Sequence, residues 1–253
     1  MKKAALIFLF VFAVVCGLWT VDCFCEEKGL MAYWKLDEGK GDIAKDASGS
    51  GNEASVGVEW AKGKFGTCLY YSGDGAAYCT VADNDKIHFG TGDFSIECWI
   101  APSTFDTDSG DKRVRFFSKN AYPQTWLCVN FTGDGNIQME MADENAKWGG
   151  STSIGTAKAN AWNHIVIVND RKKKKTNYYI NGKLDCAQDI AAEFTGDMSV
   201  PEKDFVLGSE WQPFAGLLDE VKLWSRALTA DEVKAAYDKE KANRADAKYE
   251  TED

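Results

Sequence analysis

The residues best suited to chemistry are a few carboxylates, two histidines and a set of tryptophans. Asp219 stands out among the carboxylates. It lies in FAGLLDEVKLW, Phe214–Trp224, where apolar and polar residues alternate as in a strand. Strict alternation places Leu217, Asp219, Val221 and Leu223 on one face, and Leu218, Glu220, Lys222 and Trp224 on the other. A carboxylate on an apolar face costs several kcal/mol, to order of magnitude, unless something pairs with it. Backbone amides, Arg226 or a metal ion would each serve.

The tryptophans suggest recognition rather than reaction. Sugars offer apolar C–H faces to aromatic rings and hydroxyls to polar side chains, and indole serves the first need well. Trp126, Trp148 and Trp211 fall in or beside predicted loops, with Gln124, Asn145 and Gln212 as polar neighbours. The alternative for each ring is a core or loop-anchoring role. Trp34, Trp99, Trp162 and Trp224 sit in strand contexts and are assigned to packing. The two histidines, His88 and His164, lie in separate segments, and His164 in AWNHIVIV reads as a packed strand residue. No Ser/His/Asp set can be assembled, and Asp219 and Glu220 are adjacent, so alternation points them to opposite faces. The expectation is that the chain is not an enzyme.

These side chains must be held by strands. Short alternating runs are predicted at Leu30–Leu36, Thr67–Tyr71, Tyr78–Val81, Phe94–Ala101, Arg113–Ser118, Trp126–Phe131, Asn136–Met141, Asn163–Asn169, Thr176–Ile180, Asp204–Leu207 and Gly216–Trp224. Glycines punctuate them, and Asn181-Gly182 is a hairpin turn signal, because both residues tolerate positive φ. Lys172–Lys175 reads as a solvated loop. One helix is predicted from the capping box Thr229-Ala-Asp-Glu232, followed by Val233, Ala236 and Tyr237 at helical spacing. The pattern is all-β with one short C-terminal helix, in a single domain over 26–238 and a charged tail over 239–253.

Lys2 and Lys3 precede an apolar run from Ala4 to about Val21, which reads as a signal peptide over 1–25, with a retained N-terminal anchor as the rival. Cleavage there leaves no membrane span, and the expected location is secreted, periplasmic or cell-surface. The net charge of −10 argues against nucleic acid as a partner and makes divalent cation binding easier. Beyond the leader stand Cys68, Cys79, Cys98, Cys128 and Cys186, an odd number in a compartment that permits disulfides. Cys68 and Cys79 flank a tight segment, and a bridge between them is one option; Cys98 reads as a small buried hydrophobe.

Five runs follow one another: AYWKLDEGKGDIAKDASGSGNEAS, GKFGTCLYYSGDGAAYCTVAD, GDFSIECWI, AWNHIVIVNDR with NYYINGK, and FAGLLDEVKLWSRALTADEV. Together they resemble the laminin-G-like, concanavalin A-like (LamG-type) domains of exported bacterial proteins, over about 29–237. The resemblance implies a two-sheet antiparallel jelly-roll sandwich with the first strand beside the last. It also implies a structural calcium ion near the loop Asp42–Asn52, with Asp46, Asn52 and Asp219 as ligands, since calcium takes six to eight oxygens. SGSGN stands where the family more often has SSGNG, which leaves the register of Asn52 open. Glucanases of this superfamily carry their carboxylates as Glu-x-Asp-x-x-Glu, and Glu140-Met-Ala-Asp143-Glu144 departs from that spacing. The functional expectation is an exported carbohydrate-binding, lectin-like module whose partner is a polysaccharide or other glycan, with Trp148, Trp211, Trp126 and Gln212 at the ligand. The alternative is an envelope or secreted-protein interaction scaffold.

Overall fold

Period-two alternation builds almost everything here. The computed structural model describes residues 27–106 and 113–242, so the expected leader lies outside the described residues. The strands are β1 (Leu30–Trp34), β2 (Ile43–Ala44), β3 (Ala54–Ser55), β4 (Glu59–Lys62), β5 (Thr67–Ser72), β6 (Cys79–Val81), β7 (Phe94–Pro102) and β8 (Arg113–Ala121). They continue with β9 (Thr125–Thr132), β10 (Asn136–Ala142), β11 (Ser151–Thr156), β12 (Asn163–Asp170), β13 (Lys175–Ile180), β14 (Lys183–Asp189), β15 (Phe205–Leu207) and β16 (Ala215–Trp224). Helix α1 (Ala230–Ala242) closes the described chain.

Two antiparallel sheets form the jelly-roll sandwich. The first runs β14-β13-β12-β7-β16-β5-β4, with β1 also on β16; the second runs β11-β10-β9-β8-β15-β6-β3-β2. Each predicted strand is present, and β1 lies beside β16. Five strands escaped prediction: β2, β3, β4, β11 and β14. They are two-residue pairs or exposed edges with little alternation, as in the polar STSIGT of β11. Aromatic rings fill the space between the sheets. Trp34 stacks on Phe205 at 6.2 Å, and Phe116 on Phe131 at 4.6 Å. Cys68 and Cys79 fall in different sheets and are buried free thiols, so the bridge considered from the sequence does not form.

Helix α1 covers the outer side of the first sheet. The capping box forms as predicted: the Glu232 carboxylate accepts from the Thr229 amide at 2.8 Å, and the Thr229 hydroxyl accepts from the Glu232 amide at 3.2 Å. Val233 packs with Val166, Val168, Tyr179, Trp224 and Leu228, and Tyr237 stacks on Trp99 at 5.8 Å. The helix continues to Ala242, further than the sequence pattern suggested, because Glu240 is held from below.

Strict alternation fails at one point in β16. The strand pairs with β7 along one edge; along the other it pairs with β5 through Leu218 and with β1 from Val221 onward. At this changeover the register shifts between Asp219 and Lys222, and Glu220 adopts φ 52. The bulge inserts a residue, so the faces predicted for Val221 to Trp224 are exchanged. Leu218, Val221 and Leu223 enter the main core, while Lys222 and Trp224 turn outward with Asp219.

Asp219 is fully buried, and backbone amides answer its carboxylate. Oδ2 accepts from the Phe65 amide at 3.0 Å and Oδ1 from the Glu220 amide at 2.9 Å. Arg226 is engaged elsewhere, with Glu232 and the Lys28 carbonyl. Gly63 is required here, since a Cβ would stand 2.4 Å from the Thr67 carbonyl and 2.8 Å from Asp219 Oδ2. Burial raises Asp219 well above the ordinary carboxylate range.

Burial also lifts Glu220 to about 7, against the pull of the Tyr33 hydroxyl that donates to it. A carboxyl raised from 4.5 to about 7 contributes stability that is full below pH 4.5 and is lost as pH rises through about 7. At roughly 1.4 kcal/mol per unit, the contribution is at most about 3.5 kcal/mol. The melting temperature is therefore expected to fall between about pH 4.5 and 7, and Glu220→Gln should flatten that slope. An unchanged slope in the variant would remove Glu220 as its cause.

Candidate functional site

Two connections at one end of the second sheet bring three exposed or half-exposed rings together. Alternation in β9 sends Leu127 and Val129 into the core and Trp126 to the outer face. Trp126 lies between Asn120 of β8 and Ala142 of β10. The β8–β9 turn adds Tyr122: the Asn120 side chain accepts from the Tyr122 amide at 2.8 Å, and the Ala121 carbonyl from the Gln124 amide at 3.1 Å. The Tyr122–Pro123 bond in this turn is cis. The β10–β11 connection adds Trp148, which bridges back to Ala142.

The ring centroids of Tyr122 and Trp126 are 5.2 Å apart with planes at 57°; those of Trp126 and Trp148 are 6.3 Å apart at 50°. Tyr122 is 73% exposed and Trp148 48%. Large apolar side chains gathered at a surface mark a contact site, where isolated ones do not.

Asp143 fixes the loop that carries Trp148. It is fully buried, and its carboxylate accepts four backbone amides. Oδ1 takes those of Asn145 and Lys147, both at 3.0 Å. Oδ2 takes those of Thr195 at 3.1 Å and Gly196 at 2.7 Å. One side chain thus shapes the loop and ties it to a segment about fifty residues later. Sequence reasoning missed both Asp143 and Tyr122. The signals were an aspartate opening a turn and a Tyr-Pro-Gln tip between two strands.

Trp211 and Gln212 do not join this cluster. Trp211 is 82% exposed, but its loop lies beside Arg115, toward the opposite end of β8. Gln212 is buried. Its amide donates to the Ser209 hydroxyl and its carbonyl accepts from the Arg115 amide, so it anchors the loop instead of lining a rim.

The residues expected to hold calcium also divide. Asp46 and Asn52 are neighbours: Asp46 accepts from the amides of Tyr33, Ser48 and Asn52 at 2.9–3.0 Å. The Asn52 side chain accepts from Asn84 at 2.9 Å and donates to the Met31 carbonyl. Asp219 instead sits on the outward side of the first sheet with Phe65, Gly63 and Cys68. The oxygens are committed to amides and the three residues do not converge, so they do not fit a shared calcium ion.

Among the described residues, one group could present a metal with three ligand atoms: Glu97, His164 and Glu240, within 4.8 Å of one another. A cation is already built in. Lys222 Nζ donates to Glu97 at 3.1 Å and Glu240 at 2.8 Å, and Tyr33 lies under it at 5.1 Å. Burial would raise Glu97, but Lys222 and then His164 outweigh it and hold the carboxyl at about 2. His164 is buried and bonds Glu97 at 3.2 Å, the packed strand role expected from the sequence. The Trp99 indole also donates to Glu240, so this network fastens α1 to the sheet.

A family model described as the concanavalin A-like lectin/glucanases superfamily matches residues 73–234. No curated protein sequence matches the chain. Among solved structures, the binding domain of Paraclostridial Mosquitocidal Protein 1 is similar, with a TM-score of 0.70 and 20% identity, over 85% of this chain and 53% of that one. Domain 4 of AbnA, an extracellular GH43 arabinanase from Geobacillus stearothermophilus solved with arabinotriose, matches with a TM-score of 0.63 and 21% identity, over 81% and 97%. The botulinum neurotoxin serotype G binding domain matches with a TM-score of 0.66 and 18% identity, over 82% and 50%. The chain thus spans about half the length of the two toxin domains and nearly all of the arabinanase domain.

Asp143→Asn replaces one acceptor oxygen by an amide that cannot accept, at an expected cost of about 1–3 kcal/mol. Hydrogen exchange should speed up at 145–147 and 195–196 before the rest of the sheet. Unaltered exchange in both segments would show that the loop is anchored by something else.

Proposed function

The chain belongs to the concanavalin A-like lectin/glucanases superfamily, and from that premise we propose that it is an exported, non-catalytic binding module that takes glycan on Tyr122, Trp126 and Trp148. The observation that carries this reading is the aromatic cluster itself. Its three rings stand on a tight strand turn and on a loop held by a buried carboxylate, so little ordering is left for a ligand to impose. The arabinanase domain of like fold, solved with arabinotriose, supports a sugar ligand. Buried carboxylates occupied by amides or by lysine support a binding role over hydrolysis. Because Asp46, Asn52 and Asp219 do not form one ligand set, the proposal gives glycan binding no calcium requirement.

A protein receptor is the second reading, favoured by the similarity to toxin binding domains. A glycan array probed with the purified domain, with and without EDTA, separates the two. The expected result is EDTA-insensitive glycan binding that falls at least tenfold in Trp148→Ala with the melting temperature nearly unchanged. Binding that needs added calcium would overturn the metal-free form of the proposal. An empty array beside specific capture of an envelope protein would replace glycan by protein as the ligand.

A further inference from the structure

We infer that the ligand of the three rings is a single, uncharged glycan chain in solution, and neither a crystalline polysaccharide surface nor an acidic polymer. This inference rests on the glycan reading of the same rings. Ring geometry carries the first half. A crystalline polysaccharide presents its sugar faces in one plane and is matched by aromatic rings in one plane. Here the neighbouring planes turn by 57° and 50° while the centroids stay 5.2 and 6.3 Å apart. A flat face laid on Trp126 tilts away from Tyr122 and Trp148, and one laid on either of those tilts away from Trp126, so no single plane serves all three. A free chain can place one sugar on Trp126 and turn the adjoining units toward Tyr122 and Trp148, so all three rings contribute C–H contacts.

Charge carries the second half. Polyanions are held by arginine or lysine clusters. The segments that frame the rings, Asn120–Thr125 and Asp143–Trp148, contain one cationic side chain, Lys147, and in the same loop Glu144 offsets it. The whole chain carries −10, which repels a polyanion at long range. What the frame offers instead suits hydroxyl groups. The indole N–H groups of Trp126 and Trp148 and the Tyr122 hydroxyl have no hydrogen-bond partner among the described residues. Gln124 and Asn145 are exposed beside them. Contacts of this kind are dispersive and neutral, so binding should be indifferent to ionic strength.

The test uses the signal-free chain against three kinds of probe. Soluble arabinan, xylan, galactomannan and mixed-linkage glucan are presented in affinity gels. Polygalacturonate and alginate are presented in the same way, and crystalline cellulose and chitin in sedimentation assays. Tyr122→Ala and Trp148→Ala remove the exposed rings and are less apt to unfold the domain than a change at the more enclosed Trp126; their melting curves report folding. The expected result is retardation by at least one soluble neutral glycan, equal in low and high salt and weakened at least tenfold in both variants, with no depletion by the crystals. Depletion by cellulose or chitin that both variants abolish would overturn the single-chain inference and leave the glycan reading standing. Ring-dependent binding to an acidic polymer that salt weakens would overturn the neutral-ligand inference in the same way. Failure to bind any probe, or variants that bind like the parent, would overturn both.

Discussion

Strand β16 must satisfy three neighbours with one backbone. It pairs with β7 along one edge, and along the other it passes from β5 to β1 partway down its length. Two strands cannot occupy one hydrogen-bonding edge at one level, so the chain spends a residue at the changeover. That residue is Glu220, held at φ 52. The bulge sends the following side chains to the opposite face from the one simple alternation would give, and it delivers Lys222 to the outer side of the sheet. There Lys222 meets Glu97 from β7 and Glu240 from α1. The helix, the first strand and the centre of the sheet are thus fastened around one ammonium group. Taking these charges out of water is expensive, and their mutual hydrogen bonds offset that cost.

The same network shows why ligand-like geometry is not by itself a metal site. Glu97, His164 and Glu240 have the right atoms at the right separations. The lysine between the carboxylates supplies the positive charge that a metal would otherwise bring. Asp219 and Asp46 solve their own problems differently, each gathering backbone amides. Two ways of keeping carboxylates satisfied therefore coexist in one domain, an internal lysine and backbone amides.

Much of the fold was legible because burial gathers apolar and β-branched residues into short runs. Strands such as Phe94–Pro102 and Asn163–Asp170 are enclosed along their whole length, and their sequences are rich in apolar and β-branched residues. Edge strands leave no such record: Lys183–Asp189 has one side to solvent and was silent. The bulge was silent too, since it answers to which strands meet β16 and not to the residues of β16 itself. At the candidate site, Trp126 and Trp148 were readable as loop-side rings, but their meeting was not. It depends on cross-strand register, Trp126 opposite Ala142, which no local pattern encodes. Tyr122 and Asp143 were missed for a related reason: one is an ordinary turn residue, and the other resembled a failed catalytic spacing. Trp211 looked equivalent to the other two and belongs to a different loop.

The Asp143 anchor separates two kinds of heritable change. The carboxylate grips main-chain amides at 145, 147, 195 and 196 and touches no particular side chain at those positions, apart from needing Gly196, where a Cβ would strike the carboxylate 2.8 Å away. Asn145 and Lys147 are therefore open to replacement without moving the ring beside them, whereas Glu144 accepts from the Asp197 amide and Ala146 is held at φ 54. A lineage carrying this domain could change the chemistry beside the rings through those two positions while its aromatic frame stayed in place. Diversification of ligand would then leave little trace in the fold.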